Sequence, residues 1–268
     1  MANKAYKYRL YPTKQQEHKL FWTLTRCREL YNAALAERKE AYRLAGKSIS
    51  YYEQKRDLPE LKAQIREEYQ DIHSQVLQDV LLRLDRAFKA FFRRVNNGED
   101  PGFPRFQGRN RHTSFMYPQA GYSLTHDSRI CLSKIGSLKI RLHRRIAGTI
   151  KTCTIKYEAG QWYAVFSCEI EHPEPLPPVA SEIGIDLGIT HFAALSDGTF
   201  IESPCYYRKA QADLKRKLRV LSSKKCGSHR RERARKAVAR AHRKVAHQRR
   251  DFHHKQARKL VREHQVMV

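Results

Sequence analysis

The chain reads as an α+β protein of several domains: a helical stretch, a small β-barrel, and a closing α/β segment that carries a basic helical hairpin. Three observations predict this. Apolar residues recur at helical spacing through 13–97, they alternate with period two through 114–171, and from about 182 a strand-rich run gives way to lysine- and arginine-rich sequence with no proline after Pro204.

Residues 5–11 alternate as a strand, which Pro12 stops. Thr13 and Gln16 form a T-x-x-Q capping box, and Leu20, Leu24, Tyr31 and Leu35 carry a helix to about Leu44, ahead of Gly46. A helical stretch is expected over 58–69. A longer helix is expected over 74–95, with a stripe from Val76, Leu77, Val80, Leu81 and Leu84 through Phe88, Phe91, Phe92 and Val95 expected as core. Gln75 and Gln78 lie near its start, with Arg83, Arg86, Lys89, Arg93 and Arg94 further along. Glutamine pairs bidentately with adenine edges in a groove, and it is equally at home on a solvated helix face.

Gly98, Pro101, Gly102 and Pro104 end helical sequence. In Gly102-Phe-Pro-Arg-Phe106, Arg105 is a candidate phosphate contact, while Phe103 and Phe106 are expected to anchor the loop. Strands are expected at 114–117, 129–133, 138–142, 149–157 and 162–170. With the N-terminal strand they make a small barrel. The proline-rich 172–179 then reads as a stiff linker.

Glu182-Ile-Gly-Ile-Asp-Leu-Gly-Ile-Thr-His191 carries the chemistry. Alternation places Ile183, Ile185, Leu187 and Ile189 on one face and Gly184, Asp186 and Gly188 on the other. Glycine inside a strand marks close approach by a ligand or another backbone, so Asp186 is the candidate catalytic and metal-holding carboxylate. An Asp that merely ends a strand is the plain alternative. A second strand over 192–195, an Asp197-Gly198 turn and a third strand over 199–202 follow. This opening is shared by the RNase H-like fold and by the sugar-kinase and actin-type ATPases.

Charge separates those classes. The chain holds 53 Lys and Arg against 27 Asp and Glu, net +26, and 207–268 alone holds 22 basic and 4 acidic side chains. A metabolite kinase has no use for such a field, and the chain lacks room for an ATPase's second lobe. A polyanion repays each contact through counterion release. Two antiparallel helices are expected there, one with Leu214, Leu218 and Leu221, the other with Val238, Val245 and Phe252, separated by Gly227. Arg216, Lys217, Lys224, Lys225, Arg230, Arg231, Arg243, Lys244, Arg249 and Arg250 are the candidate contacts to an RNA or DNA backbone, although a solvated helix pair has the same composition. Residues 264–268 turn strand-like.

No apolar run approaches the roughly 18 residues that span a bilayer, so the chain is expected in the cytoplasm, associated with the nucleoid, without a membrane partner. Six cysteines are scattered with no Cys-x-x-Cys pair, so neither a zinc ribbon nor a disulfide framework is visible. Cys226-Gly-Ser-His229 reads as a turn.

Six motifs in order, Tyr8-Arg-Leu-Tyr-Pro12, Tyr31-Asn32, Ala87-Phe-Lys-Ala-Phe-Phe92, Gly102-Phe-Pro-Arg-Phe106, Ile183-Gly-Ile-Asp-Leu-Gly188 and Asp251-Phe-His-His-Lys255, resemble the TnpB (OrfB) family of transposon-encoded RNA-guided DNA endonucleases. The resemblance implies a wedge-type barrel (1–12 and 98–171) split by an inserted helical recognition domain (13–97). A linker (172–180) and a partial RuvC-type, RNase H-like nuclease domain (181–268) with its helical hairpin (206–264) would follow. It also implies a guide RNA from the transposon end, double-stranded target DNA read beside a short flanking motif, and Mg²⁺ in the complete protein. By position, Gln75 and Gln78 resemble members of the motif-reading helix.

Family members continue past the strand that here reaches Val268 with a Glu, a zinc ribbon and a third carboxylate, none of which stands in this sequence. Two-metal phosphodiester cleavage needs several carboxylates. The expectation is therefore a truncated chain that binds nucleic acid without cutting, or a shortened repressor-like binding module. Its oligomeric state is not legible.

Overall fold

In the computed structural model, which describes residues 1–109, 111–172, 174, 177, 179 and 181–268, the N-terminal strand is longer than its alternation suggests. β1 (Ala2–Tyr11) buries Tyr6, Tyr8 and Leu10 at the centre of a sheet. The other strands are β2 (Ser114–Tyr117), β3 (Tyr122–Thr125), β4 (Arg129–Leu132), β5 (Gly136–Arg141), β6 (Thr149–Glu158) and β7 (Gln161–Ile170). Their order is β2-β6-β7-β1-β5-β4-β3, every pair antiparallel. The edge strands β2 and β3 approach through Tyr117 and Tyr122, whose rings lie 6.4 Å apart, so the sheet curls to near closure. β3 was absent from the expectation: four residues with two half-buried apolar side chains give almost no period-two signal. Gly148 enters β6 at φ +74, where a Cβ would sit 2.1 Å from the Glu169 carbonyl oxygen; only glycine fits.

α1 (Lys14–Ala45) begins at the expected capping box. Thr13 Oγ1 accepts from the Gln16 N–H (3.3 Å) and Gln16 Oε1 from the Thr13 N–H (3.0 Å). It ends at Gly46 in the left-handed region, as the sequence predicts. The helix expected over 58–69 differs. A second capping box, Ser50 with Glu53, starts α2 (Tyr51–Arg56) early. The chain then breaks into α3 (Leu58–Glu60), a π turn (Leu61–Ile65) and a 3-10 turn (Glu67–Asp71), with Arg66 outside helical geometry. That break lets Leu58, Tyr69 and Ile72 all reach the core, which a straight helix would not.

α4 (Ser74–Asn96) buries Val76, Leu77, Val80, Leu81 and Leu84 against α1 and the sheet. The expected core stripe thins from there: Phe88 is half-buried and still packs against the core, while Phe92 and Val95 are exposed. These helices and the sheet form one compact unit, Met1–His172.

The second unit is Pro173–Val268. The expected linker over 172–180 falls largely on 173, 175, 176, 178 and 180, which lie outside the described residues. β8 (Glu182–Ile183) and β9 (Ile185–Asp186) are one extended run interrupted at Gly184. β10 (Ala193–Leu195) and β11 (Phe200–Ile201) follow as an antiparallel meander, and β12 (Val266–Met267) pairs parallel with β8. Two small sheets result, β11-β10-β9 and β12-β8, adjoining at Gly184, where the Ile185 N–H donates to the Val268 carbonyl (2.8 Å). The strand expected over 182–191 ends at Asp186. Leu187 and Ile189, placed on one face with Ile183 and Ile185 by alternation, are 71% and 97% exposed because the chain leaves the sheet there.

α5 (Tyr206–Ser222) and α6 (His229–Glu263) form the expected hairpin around Leu214, Val238 and Val245, while Leu218 is exposed. Among the described residues no helix is long and apolar enough to cross a membrane.

Candidate nucleic-acid interface

Three motifs distant in sequence meet in the first unit. The Asn32 side chain of α1 clamps the backbone of Gln107: Nδ2 donates to its carbonyl (3.1 Å) and Oδ1 accepts its N–H (2.7 Å). Beside it Tyr31 is buried, which raises its phenol pKa, although Gln107 hydrogen-bonds it. Pro104 is buried as well, and Phe103 stands edge-on to Phe88 (5.5 Å) and Phe91 (5.2 Å) of α4. The loop is thus anchored by Asn32, Pro104 and Phe103. Phe103 and Phe106, both expected as anchors, are 43% and 50% exposed and line a cleft of about 1070 Å³ with α1 and α4. Arg105 is exposed on the same loop.

On α4, Gln75 Oε1 accepts the Ala120 N–H (3.0 Å), so this side chain holds the turn between β2 and β3. Gln78 is half-buried. Arg83 turns inward, pairing with buried Asp79 (2.7 Å) and donating to the Ser114 carbonyl (2.9 Å).

In the second unit Asp186 sits exposed at the end of β9, in register with Ala194 of β10. The flanking glycines lie against protein atoms, Gly188 against a backbone carbonyl. The Gly184 N–H donates to Ser196 Oγ (2.9 Å), and a Cβ at Gly184 would lie 3.3 Å from Ser196 Cβ. Gly188 makes room for the His191 carbonyl. Of the acids that follow in the meander, Glu202 pairs with His191 (2.9 Å), and Asp197 accepts from the Thr199 N–H (2.8 Å). Among the described residues no three His, Cys, Asp or Glu side chains form a group able to hold a metal ion. The residues present therefore do not by themselves fit the divalent-metal centre that the resemblance implies.

The hairpin is fixed to this sheet. Phe252 of α6 packs edge-on against Phe192 (5.0 Å), and Ser181 Oγ bonds His264 Nδ1 (2.7 Å) at the helix end. Lys225, Arg230, Lys244, Arg249 and Arg250 are exposed, and Lys224 and Arg243 are half-buried. Arg216 and Lys217 both pair with Asp213. Arg231 is spent internally: its guanidinium donates to the Leu221 and Lys224 carbonyls (3.0 Å each), capping the end of α5. Sequence composition could not separate it from Arg230. Arg231→Met is expected to cost about 1–2 kcal/mol in thermal unfolding and to leave RNA affinity unchanged, whereas Arg230→Met should weaken affinity at unchanged stability. The reverse pattern would show that Arg231 contacts nucleic acid.

Both ends of the chain match models of one transposon family. Residues 165–268 match OrfB_IS605, described as "Probable transposase", and residues 1–47 match HTH_OrfB_IS605, described as "Helix-turn-helix domain". The chain belongs to the OrfB family of IS605-type transposon proteins. It is 34% identical over 265 residues to "Putative RNA-guided DNA endonuclease InsQ" of Escherichia coli (strain K12), covering 98% of this chain and 65% of that one. It is 32% identical over 272 residues to "Putative RNA-guided DNA endonuclease" of Streptomyces pristinaespiralis, covering 100% of this chain and 66% of that one. The chain thus spans about two thirds of the length of these relatives. A solved chain titled "Cryo-EM structure of the Cas12f1-sgRNA-target DNA complex" aligns over 97% of this chain and 69% of that one, at 12% identity and a TM-score of 0.37. Residues 1–47 form a strand and one 32-residue helix, not two helices and a turn.

Proposed function

We propose that the chain performs the recognition work of an RNA-guided DNA endonuclease, binding a guide RNA and DNA paired to it, with Asp186 as one carboxylate of a cutting centre completed by residues of a longer protein. The observation that carries this is the parallel register of β12 on β8. Val266 stands opposite Glu182 and Met267 opposite Ile183; carried forward, that register brings the position two beyond Val268 beside Asp186. A carboxylate supplied there would face Asp186 across one strand spacing, about 4.8 Å. The matched relatives, named for this activity, support the same assignment.

The test has two arms. The chain is co-expressed with DNA flanking its gene and the co-purified RNA is sequenced; one discrete structured species is expected, and a random mixture of cellular RNA overturns the reading. A version lengthened with the homologous segment of a relative is then assayed on matched DNA with Mg²⁺. Cutting should appear and should vanish in Asp186→Ala; cutting that survives this change removes Asp186 from the centre. A second reading, guided binding without cutting, is favoured by the lone exposed Asp186 and the lack of a metal-holding group among the described residues. Target occupancy without cleavage by the lengthened version selects it.

A further inference from the structure

We propose that the cleft between α1, the C-terminal half of α4 and the 102–107 loop takes unpaired bases of RNA. In this arrangement bases stack on Phe92 and Phe106, and Lys39, Arg43 and Arg105 meet the flanking phosphates. The inference deepens the nucleic-acid reading above and rests on it.

Phe92, Phe103 and Phe106 are 56%, 43% and 50% exposed at one cleft. Single exposed aromatics are ordinary; a cluster marks a contact surface. Cations interleave with these rings. Lys39 Nζ lies 5.3 Å from the Phe106 centroid and 5.9 Å from that of Phe103, and Arg43 and Arg105 are exposed nearby. Asp85 at the cleft is neutralised by Lys89 (2.9 Å) and Arg38 (3.4 Å), so the lining presents positive charge. The rings are also held in place: Phe92 packs on Phe91 (5.1 Å), Phe103 packs on Phe88 and Phe91, and Asn32 fixes the loop. Little conformational entropy is lost when a base arrives.

An aromatic surface interleaved with cations is the chemistry of single-stranded nucleic acid binding. Paired bases are already stacked, whereas RNA loops and bulges present splayed bases together with 2′-hydroxyls, for which the exposed Glu40 carboxylate at the cleft is an acceptor. A second copy of the chain is disfavoured by its own net charge of +26.

The test measures binding of the full chain to a short labelled oligoadenylate RNA, to DNA of the same sequence and to a fully paired RNA duplex. Raised salt makes the phosphate contribution fade while stacking persists. Phe92→Ala combined with Phe106→Ala should weaken single-stranded RNA binding about tenfold or more and leave duplex binding unchanged; the corresponding Trp pair should restore it. Arg43→Glu with Arg105→Glu, on exposed side chains, gives an independent loss should the alanine pair melt early. Equal loss on duplex and single strand, or no loss, overturns the proposal. So does DNA bound as tightly as RNA with the same loss, which would make the cleft indifferent to the sugar. Self-association abolished by the alanine pair would make a second copy the occupant and likewise overturn it. Wild-type chain that binds none of the probes would defeat the proposed function as well, whereas normal wild-type binding with an indifferent alanine pair defeats the cleft alone.

Discussion

Raising salt from about 50 to about 200 mM is expected to weaken the chain's binding to RNA or duplex DNA by about 10³-fold or more, the loss that follows from six to ten phosphate contacts. The basis is the distribution of charge. Residues 207–268 hold 22 basic and 4 acidic side chains, most of them on α6, whose 35 residues extend roughly 50 Å at the usual helical rise. Substituting Lys244, Arg249 and Arg250 together with Gln should flatten the log–log salt slope by about 2 on single strands and somewhat more on duplex. Fluorescence anisotropy across a salt series measures this. An unchanged slope would assign the hairpin to solvation, which its composition alone also allows.

Acidification from about pH 6.5 to about pH 4 is expected to remove on the order of 2–3 kcal/mol of stability through His112. Burial pushes its imidazole pKa down to about 4, and Arg83 and Arg28 add to that. Its Nε2 is shielded from water with no hydrogen-bond partner among the described residues. With the folded pKa below the unfolded value, the unfolded chain takes the proton first. The contribution is therefore complete above about pH 6.5, declines down to about 4 and is flat below. Glu158 works in a lower window. Burial pushes its carboxyl up, but Lys7 (2.8 Å) and Lys156 (3.2 Å) outweigh this and hold it at about 2, so its contribution is present above about pH 4.5 and lost as pH falls towards 2. In urea unfolding across pH, His112→Leu should flatten the upper window and leave the lower one intact. A wild-type curve already flat between pH 6.5 and 4 would refute the assignment.

What the sequence determined was local. The Thr13 and Gln16 capping box, the αL glycine at Gly46, six of the seven barrel strands and the turn at Gly227 each depend on neighbours within a few residues, so composition and spacing suffice to read them. The Asp186 motif and the basic hairpin were legible for the same reason, and with them the family. The short β3 and the Ser50 and Glu53 capping box that opens α2 carried weak or overlooked local signals. Only tertiary structure decided where side chains of equal composition go. Arg231 caps α5 while Arg230 stays exposed, Gln75 holds a turn, and Ser196 occupies the space beside Gly184. The apolar stripe on α4 looked uniform from Val76 to Val95, yet burial depends on what lies opposite. α1 and the sheet cover its first half, Phe88 still packs against that core, and Phe88, Phe91 and Phe92 line the cleft that the 102–107 loop completes. Periodicity fixes which face a residue occupies; whether that face meets protein or remains open is set by elements far away in the chain.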